Sequence, residues 1–157
     1  MSAWQQFTLA FTTATDNGGA YYMVDEATGR LTLSVRARYL RQYFKHVRAG
    51  AVRVGAVGTV TFDPVAFRNP NGGFVVVVRA TGAGTFTIGG LPGGRYGGAY
   101  TLGATDSSVT TYDAQVPDQT ITAGQDVTVT IPAKGIVTIY ARIGAGPPPP
   151  PNVRIVR

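Results

Sequence analysis

Residues 127–143 read VTVTIPAKGIVTIYARI and contain two runs of β-forming residues separated by a turn sequence at 132–135. In the second run, apolar residues at every other position alternate with Thr138, Tyr140 and Arg142. Alternation with a period of two puts apolar side chains on one face of a strand and polar side chains on the other. This stretch therefore predicts a sheet with one dry face and one wet face.

The same kind of pattern fills the chain after residue 50. Short runs of β-forming residues occur at 51–57, 59–67, 73–80, 85–88, 99–102, 109–112, 119–122, 127–131 and 136–143. Turn-forming sequences separate these runs, at 69–73, 91–94, 123–125 and 132–135. Short strands at regular spacing are typical of a β-sandwich or barrel.

One helix is predicted, over residues 34–47. Its apolar residues fall at helical spacing on one stripe, made of Val35, Tyr39, Leu40, Tyr43, Phe44 and Val47. Ser34 is a suitable N-cap, and Gly50 follows the last periodic residue, where a left-handed stop is common. The predicted fold class is therefore mainly β, an antiparallel β-sandwich preceded by one amphipathic helix.

The sequence divides into three predicted regions: a lead-in segment at 1–50, the β-sandwich at 51–144, and a Pro-rich linker and tail at 145–157. In the lead-in segment we expect a strand at 4–11 and a hairpin at 21–33 that turns at 26–29. In the tail, the five prolines at 147–151 predict an extended polyproline II spacer of about 3.1 Å per residue. The strand-like sequence VRIVR follows at 153–157.

The composition excludes several classes of protein. Gly (21) and Pro (10) make up about a fifth of the 157 residues, which argues against a helical bundle. With 44% hydrophobic and 14% charged residues, the chain has enough apolar surface and little enough repulsion to fold as one domain. Cysteine is absent, so disulfides, thiolate nucleophiles and sulfur-based zinc sites are excluded.

Charge and hydropathy narrow the range of partners. The first residues show no signal-peptide pattern, and the longest apolar run, 74–78, is too short to span a bilayer. We therefore expect a soluble chain with no membrane partner, while its compartment is not predicted. The net charge is +6, and seven of the 14 basic residues lie within 30–53. Basic residues on an amphipathic helix are usually a solvated face, so nucleic acid is not an expected partner.

Patterns for catalysis and metal binding are missing from the sequence. The single histidine, His46, cannot form a His-based metal cluster, and we expect it to be a partly exposed helix residue. Phosphate-binding, serine-hydrolase, zinc-protease and calcium-loop motifs do not occur. The glycines at 82, 84, 89, 90, 93, 94, 97 and 98 are interpreted as turn and strand-edge residues. No metal and no cofactor is predicted.

Four stretches of the chain form longer motifs: SAWQ at 2–5, GRLTLS at 29–34, QYFKHVRAGAVRV at 42–54 and VAFRNPNGGFVVVV at 65–78. Together with Tyr39 and the ending 127–142, they resemble the carboxy-terminal part of glycoside hydrolase family 30. In that family the last barrel strand and helix lead into a β-sandwich. The resemblance covers nearly all of residues 1–143. Ala49 departs from the usual proline of the helix-exit motif, and His46 departs from an aromatic.

The resemblance implies that this chain is not an enzyme by itself. The family's acid/base and nucleophile are both glutamates on earlier barrel strands, and a retaining mechanism needs two carboxyls about 5–5.5 Å apart. This sequence contains one glutamate, Glu26, in a predicted turn. The missing catalytic barrel is therefore the implied partner, and the implied parent enzyme is secreted. By the same resemblance, Trp4 matches the aromatic residue on the last barrel strand that lines the sugar subsite.

Three classes of function remain open. The first is a non-catalytic accessory β-sandwich of a glycoside hydrolase, and the second is a stand-alone carbohydrate-binding module for plant-type polysaccharide. In the second class, aromatic rings would stack on sugar faces, with candidates Trp4, Tyr96, Tyr100, Tyr112 and Tyr140. Tyrosines on strands more often pack within the sheet. The third class is a small enzyme of unfamiliar mechanism or a nucleic-acid binder using the helix arginines. Which glycan is bound is not predicted.

The tail predicts self-association. In the resembled family the sandwich also takes up a strand that precedes the barrel, and we expect that strand position to be unfilled here. An unfilled position leaves unpaired main-chain groups beside an apolar groove. Residues 153–157 are a spare strand-like segment, so they would pair as an added strand in their own domain or in a neighbour's. Five prolines resist a tight reversal, which favours a strand-swapped homo-oligomer.

Overall fold

The computed structural model describes residues 8–12, 19–104 and 108–143. In chain order its elements are β1 (Thr8–Phe11), β2 (Ala20–Val24), β3 (Leu31–Leu33), α1 (Val35–Phe44), β4 (Val52–Val54), β5 (Phe62–Arg68), β6 (Phe74–Ala80), β7 (Gly84–Ile88), β8 (Gly94–Leu102), β9 (Thr111–Ile121), β10 (Val127–Ile131) and β11 (Gly135–Ala141). The prediction of a mainly β fold with one preceding helix is confirmed. The first residues of the predicted strand at 4–11 and the whole tail at 145–157 lie outside the described residues.

The sandwich consists of a six-stranded antiparallel sheet and a facing two-stranded layer. The strand order of the main sheet is β4-β5-β6-β11-β8-β9, and β7 pairs with β10 in the facing layer. The last strand, β11, lies in the middle because both of its edges are hydrogen-bonded, to β6 and to β8. Its apolar residues Val137 and Ile139 are buried in one core with Val127, Val129 and Ile131 of β10. The stretch at 127–143 therefore contributes one strand to each layer, β10 to the facing layer and β11 to the main sheet.

The predicted wet face of β11 is wrong at its centre. Thr138 is completely buried, although it belongs to the polar half of the alternation. Helix α1 lies over this face, where the Gln42 side chain donates a hydrogen bond from Nε2 to Thr101 Oγ1 at 2.9 Å. Thr138 Oγ1 in turn donates to the main-chain oxygen of Gln42 at 2.8 Å. A threonine can be buried here because the helix supplies hydrogen-bond partners.

Helix α1 begins as predicted, but its two most buried residues lie outside the predicted apolar stripe. Ser34 is the N-cap, since its Oγ accepts a hydrogen bond from Ala37 N at 3.1 Å. The buried helix residues are Ala37 and Gln42, whereas Phe44 of the predicted apolar stripe is 51% exposed. Phe44 contacts the ring of Tyr21 edge-on at 6.0 Å, away from the sandwich. Gln42 meets the sheet because Thr101 and Thr138 lie opposite it, while the rest of the predicted stripe is half-buried.

The lead-in segment forms its own small sheet. β1 pairs parallel with β2, and β2 pairs antiparallel with β3. The predicted hairpin is confirmed, because Asp25 Oδ1 accepts hydrogen bonds from the main-chain N–H of Ala27 and Thr28. Gly29 completes the turn with φ of +67°, a left-handed conformation that glycine adopts without strain. This sheet and α1 lie together on one side of the sandwich.

Strands β8 and β9 differ from their predictions. β8 begins at Gly94, five residues before the predicted strand, and the runs at 109–112 and 119–122 belong to the single strand β9. Gly97 and Gly98 therefore lie inside a strand and not at its edge. A Cβ at Gly98 would come within 2.5 Å of Ile139 Cδ1 and 3.1 Å of the Thr138 main-chain oxygen, so a side chain here would force its neighbours to move. β9 tolerates Pro117 because it is the outermost strand.

Candidate functional site

The structure separates the predicted sugar-stacking aromatics. Tyr96 and Tyr100 point to the inner face of the main sheet, in register with Ala141 and Val137 of β11. Tyr96 is 4% exposed, and its hydroxyl donates to the Pro92 oxygen at 2.8 Å. Burial raises its pKa. Tyr100 is partly buried and packs against the core. Both tyrosines have packing roles here, which argues against sugar stacking at either of them.

The other candidates divide between the outer face and the undescribed residues. Trp4 lies outside the described residues. Tyr112, at the β9 edge, is 37% exposed, and the guanidinium carbons of Arg38 and Arg41 lie 5.7 and 5.8 Å from its ring centroid. Tyr140, on central strand β11, is half-buried. The four candidates among the described residues therefore do not form one aromatic platform.

Of the candidate aromatic rings, Tyr140 has the surroundings that best fit a binding residue. It pairs with Gly97 of β8 and Val75 of β6, so its neighbour across the β8 side has no side chain. Its ring stacks on the His46 imidazole with the centroids 4.0 Å apart and the planes at 16°. The Arg142 guanidinium carbon lies 5.3 Å from the Tyr140 centroid. The stack orients the tyrosine ring before any ligand is present.

His46 is buried, which corrects the prediction of a partly exposed residue. Only 9% of it is exposed, because the turn after α1 places its ring against Tyr140. Burial, aided by the charge of Lys45, lowers the pKa of His46 to about 4. Its imidazole is therefore neutral near pH 7. Its Nε2 is buried and makes no hydrogen bond with the described part of the chain.

An asparagine that sequence reasoning treated only as a turn residue holds this region together. Asn69 Oδ1 accepts a hydrogen bond from Arg48 N at 2.9 Å, and its Nδ2 donates to the His46 oxygen at 2.9 Å. The β5–β6 turn is thereby tied to the end of the helix. The Asn-Pro-Asn-Gly sequence at 69–72 was the available signal, since a side-chain amide in a turn can bond a neighbouring main chain as well as its own.

A charged cluster lies beside Tyr140. Arg142 Nε donates to Asp118 Oδ1 at 2.8 Å, and Arg95 Nη2 lies 2.8 Å from Asp118 Oδ2. The absent side chain of Gly97 makes room for this cluster, because a Cβ there would lie 2.6 Å from Arg142 Nε. The cluster holds one carboxylate between two guanidinium groups. The Arg142 guanidinium of this cluster lies over the Tyr140 ring, so both His46 and Arg142 contact that ring.

A small cavity of about 190 Å³ lies beside Tyr140, on the side of β6 and the β5–β6 turn. Its lining includes His46, Arg48, Asn69, Asn71 and Tyr140. An aromatic ring beside amide and guanidinium groups suits a ligand with an apolar face and hydroxyl groups at its edge. Asp118 is the single carboxylate of the cluster next to this cavity. The arrangement therefore favours binding over acid–base chemistry.

A second cluster on the outer face links α1 to β9. Asp113 Oδ2 accepts from Lys45 Nζ at 2.9 Å and from Arg41 Nη2 at 3.1 Å. Burial raises the pKa of Asp113, but the hydrogen bonds from Lys45 and Arg41 outweigh it and hold that pKa below 3.8. Two of the basic helix residues are thus paired within the chain, which reduces the positive charge that this face offers to a nucleic acid.

The described residues contain neither a candidate metal site nor a helix that could span a membrane. Among residues 8–12, 19–104 and 108–143, no group of three or more His, Asp or Glu side chains is placed to hold a metal ion. No helix in the same described ranges is long and apolar enough to cross a bilayer. Glu26 lies exposed in the β2–β3 turn, as predicted.

Several solved structures share this fold. The chain is similar to the catalytic domain of a family 30 xylanase C from Talaromyces cellulolyticus, with a TM-score of 0.63, 19% identity, and coverage of 85% of this chain and 29% of that one. It is also similar to a glycoside hydrolase family 30 subfamily 8 xylanase from Clostridium acetobutylicum, with a TM-score of 0.59, 16% identity, and coverage of 81% and 32%. The protein SrfJ from Salmonella typhimurium matches with a TM-score of 0.53, 15% identity, and coverage of 88% and 25%.

The chain therefore spans a third or less of the length of these three structures. At such identities the similarity shows the fold alone. No curated protein sequence matches the chain. Residues 50–139, more than half of the chain, match the family described as the glycosyl hydrolase family 30 β-sandwich domain. This confirms the resemblance seen in the sequence motifs, and the chain belongs to the glycoside hydrolase family 30 β-sandwich domain family.

Proposed function

We propose that this accessory β-sandwich binds carbohydrate at the surface around Tyr140. The observation that carries the proposal is the Tyr140 ring, which is stacked against His46, lies under the Arg142 guanidinium and lines a small polar cavity. A sugar presents C–H groups to an aromatic ring and hydroxyl groups to the polar groups around it. A shallow surface with one stacking ring supports a Kd of about 0.1–1 mM, equivalent to about 4–5.5 kcal/mol.

Titration calorimetry tests this binding. Two of the similar structures are xylanases, so xylan oligosaccharides are the first ligands, followed by β-glucan and galactan oligosaccharides. Tyr140→Ala should weaken binding at least tenfold, while the exposed Tyr112→Ala should leave it unchanged and serves as the matched control. Melting curves of both variants check folding. Equal losses in the two variants, or sub-micromolar affinity in the parent chain, would contradict a shallow site at Tyr140.

We also propose that the chain is not catalytic and works with a separate or linked barrel. Its single glutamate, Glu26, lies in an exposed turn, so the sequence holds no pair of glutamates. Release of the aryl group from β-xyloside, β-glucoside and β-galactoside substrates should match a buffer blank. Turnover that is abolished by Glu26→Gln would overturn this proposal.

The proposed contact face for the barrel is the exposed apolar side of α1 and the lead-in sheet. Leu9, Phe11 and Phe44 are large hydrophobic residues exposed there, and a cavity of about 520 Å³ lies next to Leu9 and Phe44. Exposed apolar patches of this kind mark protein interaction sites. Phe44→Ser should reduce association with a barrel fragment, while Tyr140→Ala should not. A stand-alone binding module, the alternative function, predicts no such association.

The third proposed property is self-association through the tail. The division into 1–50, 51–144 and 145–157 leaves a strand-like segment at the end of a proline spacer. We propose that it pairs with another copy to form a strand-swapped homo-oligomer. Light scattering on the full chain and on a version ending at Gly146 tests this. A larger mass for the full chain is expected, and identical masses would contradict it.

A further inference from the structure

Strand β10 of the facing layer pairs with a neighbouring strand along one edge. Among the described strands only β7 pairs with it, from Val127 opposite Ile88 to Ile131 opposite Gly84. Its sequence, VTVTI, consists entirely of β-branched residues and carries no charge. Runs of this kind pair readily with strands of other molecules when an edge is left open. The state of the second edge therefore decides whether β10 is open to such pairing.

A side chain from the main sheet covers this second edge. The Gln119 amide of β9 bonds both main-chain groups of Thr128, accepting from its N–H at 3.0 Å and donating to its oxygen at 2.6 Å. A main-chain N–H can only donate and a main-chain oxygen can only accept, so this pair of bonds fixes the orientation of the amide. One residue of a neighbouring strand would offer Thr128 the same two bonds.

Thr128 is the position at which an added strand would have to pair. The N–H and C=O of one residue lie on the same side of an extended strand, and this side alternates along the chain. The first, third and fifth residues of β10 therefore direct their main-chain groups toward β7, while Thr128 and Thr130 direct theirs to the second edge. Thr130 is next to last in the strand, and Pro132, which has no N–H to donate, follows its end.

A β-bulge in β9 aims Gln119 at β10. From Val116 to Gln119 β9 advances three residues, while the paired residues of β8, Gly98 and Tyr96, are two apart. The extra residue shifts the alternation of β9, so Val116 and Gln119 both face the inner side of the main sheet. Asp118 lies on the outer face instead, in the charged cluster with two arginines. Without the bulge, Gln119 would point to the outer face and could not reach β10.

We infer that Gln119 closes the second edge of β10 against strand pairing with a second copy of this chain. The contact is made by residues of β9 and β10 alone, so the inference does not depend on the proposed carbohydrate site or on the tail. Removal of the amide leaves the Thr128 N–H and C=O without these partners, on an edge whose Thr128 and Thr130 side chains are exposed and uncharged. An edge of this kind accepts another strand.

Amide hydrogen exchange tests the contact itself. In the full chain, Gln119→Val removes both bonds and keeps a β-forming side chain, so the Thr128 N–H should exchange at least ten times faster. The Val129 N–H points to β7 and is the internal reference, which should change less than twofold. Gln115→Val is the matched control, because Gln115 lies on the same strand and its Nε2 bonds the main-chain oxygen of Asp113 two residues away. Unchanged exchange at Thr128 in Gln119→Val would overturn the inference.

Aggregation tests the consequence of opening the edge. Gln119→Lys also removes both bonds, but it places a charge at the edge, and natural sheets use lysine to keep edge strands apart. Light scattering and thioflavin T fluorescence are measured on the full chain at rising protein concentration. Gln119→Val should form at least ten times more aggregate than the parent, Gln119→Lys or Gln115→Val. Exchange at Thr128 should be fast in both Gln119 variants.

Equal aggregation of Gln119→Val and Gln119→Lys would overturn the inference, since it would follow from lost stability and not from an open edge. A Gln119→Val chain that exchanges fast at Thr128 but does not aggregate would overturn it as well. The same order of variants is expected in a version ending at Gly146, and aggregation that disappears there would assign it to the tail and not to β10. If Gln119→Val does not fold, Gln119→Ala replaces it with the same expected order against Gln119→Lys.

Discussion

The two faces of the main sheet are covered in different ways. On the outer face, α1 brings Gln42 and the ion pairs of Asp113, so buried threonines find hydrogen-bond partners. On the inner face, β7 and β10 bring apolar side chains to the core, and the described part of the chain leaves a groove of about 460 Å³ beside β7. The two faces of one sheet therefore differ. The outer face is polar and is covered by a helix, whereas the inner face is apolar and only partly covered by the described strands.

The largest expected effect tests the close packing of the inner face. Gly98→Val places a side chain where a Cβ already comes within 2.5 Å of Ile139 Cδ1, so we expect a loss of about 3 kcal/mol or more of unfolding free energy. Gly82→Ala is the control, because nothing lies within 4 Å of its added Cβ. Urea denaturation of both variants measures the difference. Similar stabilities would mean that β8 and β11 are not packed as closely as described.

The next effect tests burial on the outer face through pH. His46 has a pKa of about 4 when folded and about 6.5 when unfolded, so the unfolded state binds the proton more readily. Stability is therefore complete above pH 6.5 and should fall by up to about 3 kcal/mol as the pH drops to 4. The charged groups that act on the pKa of His46 belong to Lys45, Asp113, Arg48 and Arg41.

His46→Phe keeps an aromatic ring against Tyr140 and removes the titrating group. Its stability should change little between pH 6.5 and 4, as measured by denaturation at each pH. If the stability of the parent chain does not change between pH 6.5 and 4, His46 is more exposed to water than its burial on the outer face implies.

A smaller effect tests the charged link between α1 and β9. Asp113→Asn retains a residue that tolerates the φ of 52° at this position but removes the charge that pairs with Lys45 and Arg41. Because both cations are partly exposed, we expect a loss of about 1 kcal/mol. The difference between parent and variant should shrink in 1 M NaCl. A difference that does not depend on salt would assign the effect to the backbone and not to the ion pairs.

The smallest effect is expected at Val57 and Val60, in the segment at 55–61 that passes beside the groove. Val57→Ser combined with Val60→Ser should change the stability of the dilute chain by less than about 0.5 kcal/mol, since both side chains are almost fully exposed. A small loss of stability in this double variant and a large loss in Gly98→Val would distinguish the open part of the inner face from its closely packed part. Thermal melts at low protein concentration provide the measurement, and a large loss would mean that these valines are packed.

Much of the local structure was predictable from sequence. The Ser34 cap, the hairpin turn before Gly29 and the strand runs at 127–131 and 136–143 appear where the residues indicate them, because turn, cap and alternation signals depend on neighbours in the chain. The motifs at 42–54 and 65–78 also led to the correct family. Of the site, only the tyrosine positions could be named in advance.

The sequence by itself therefore determined a mainly β chain, its helix start, its main turns and its family. Only the tertiary structure decided that Thr138 and His46 are buried, that Tyr96 packs in the core while Tyr140 stacks on an imidazole, and that Gly97 and Gly98 lie inside a strand. The physical reason is the same in each case. Burial and exposure of these residues depend on what lies across the sheet from them, and those partners come from distant parts of the chain.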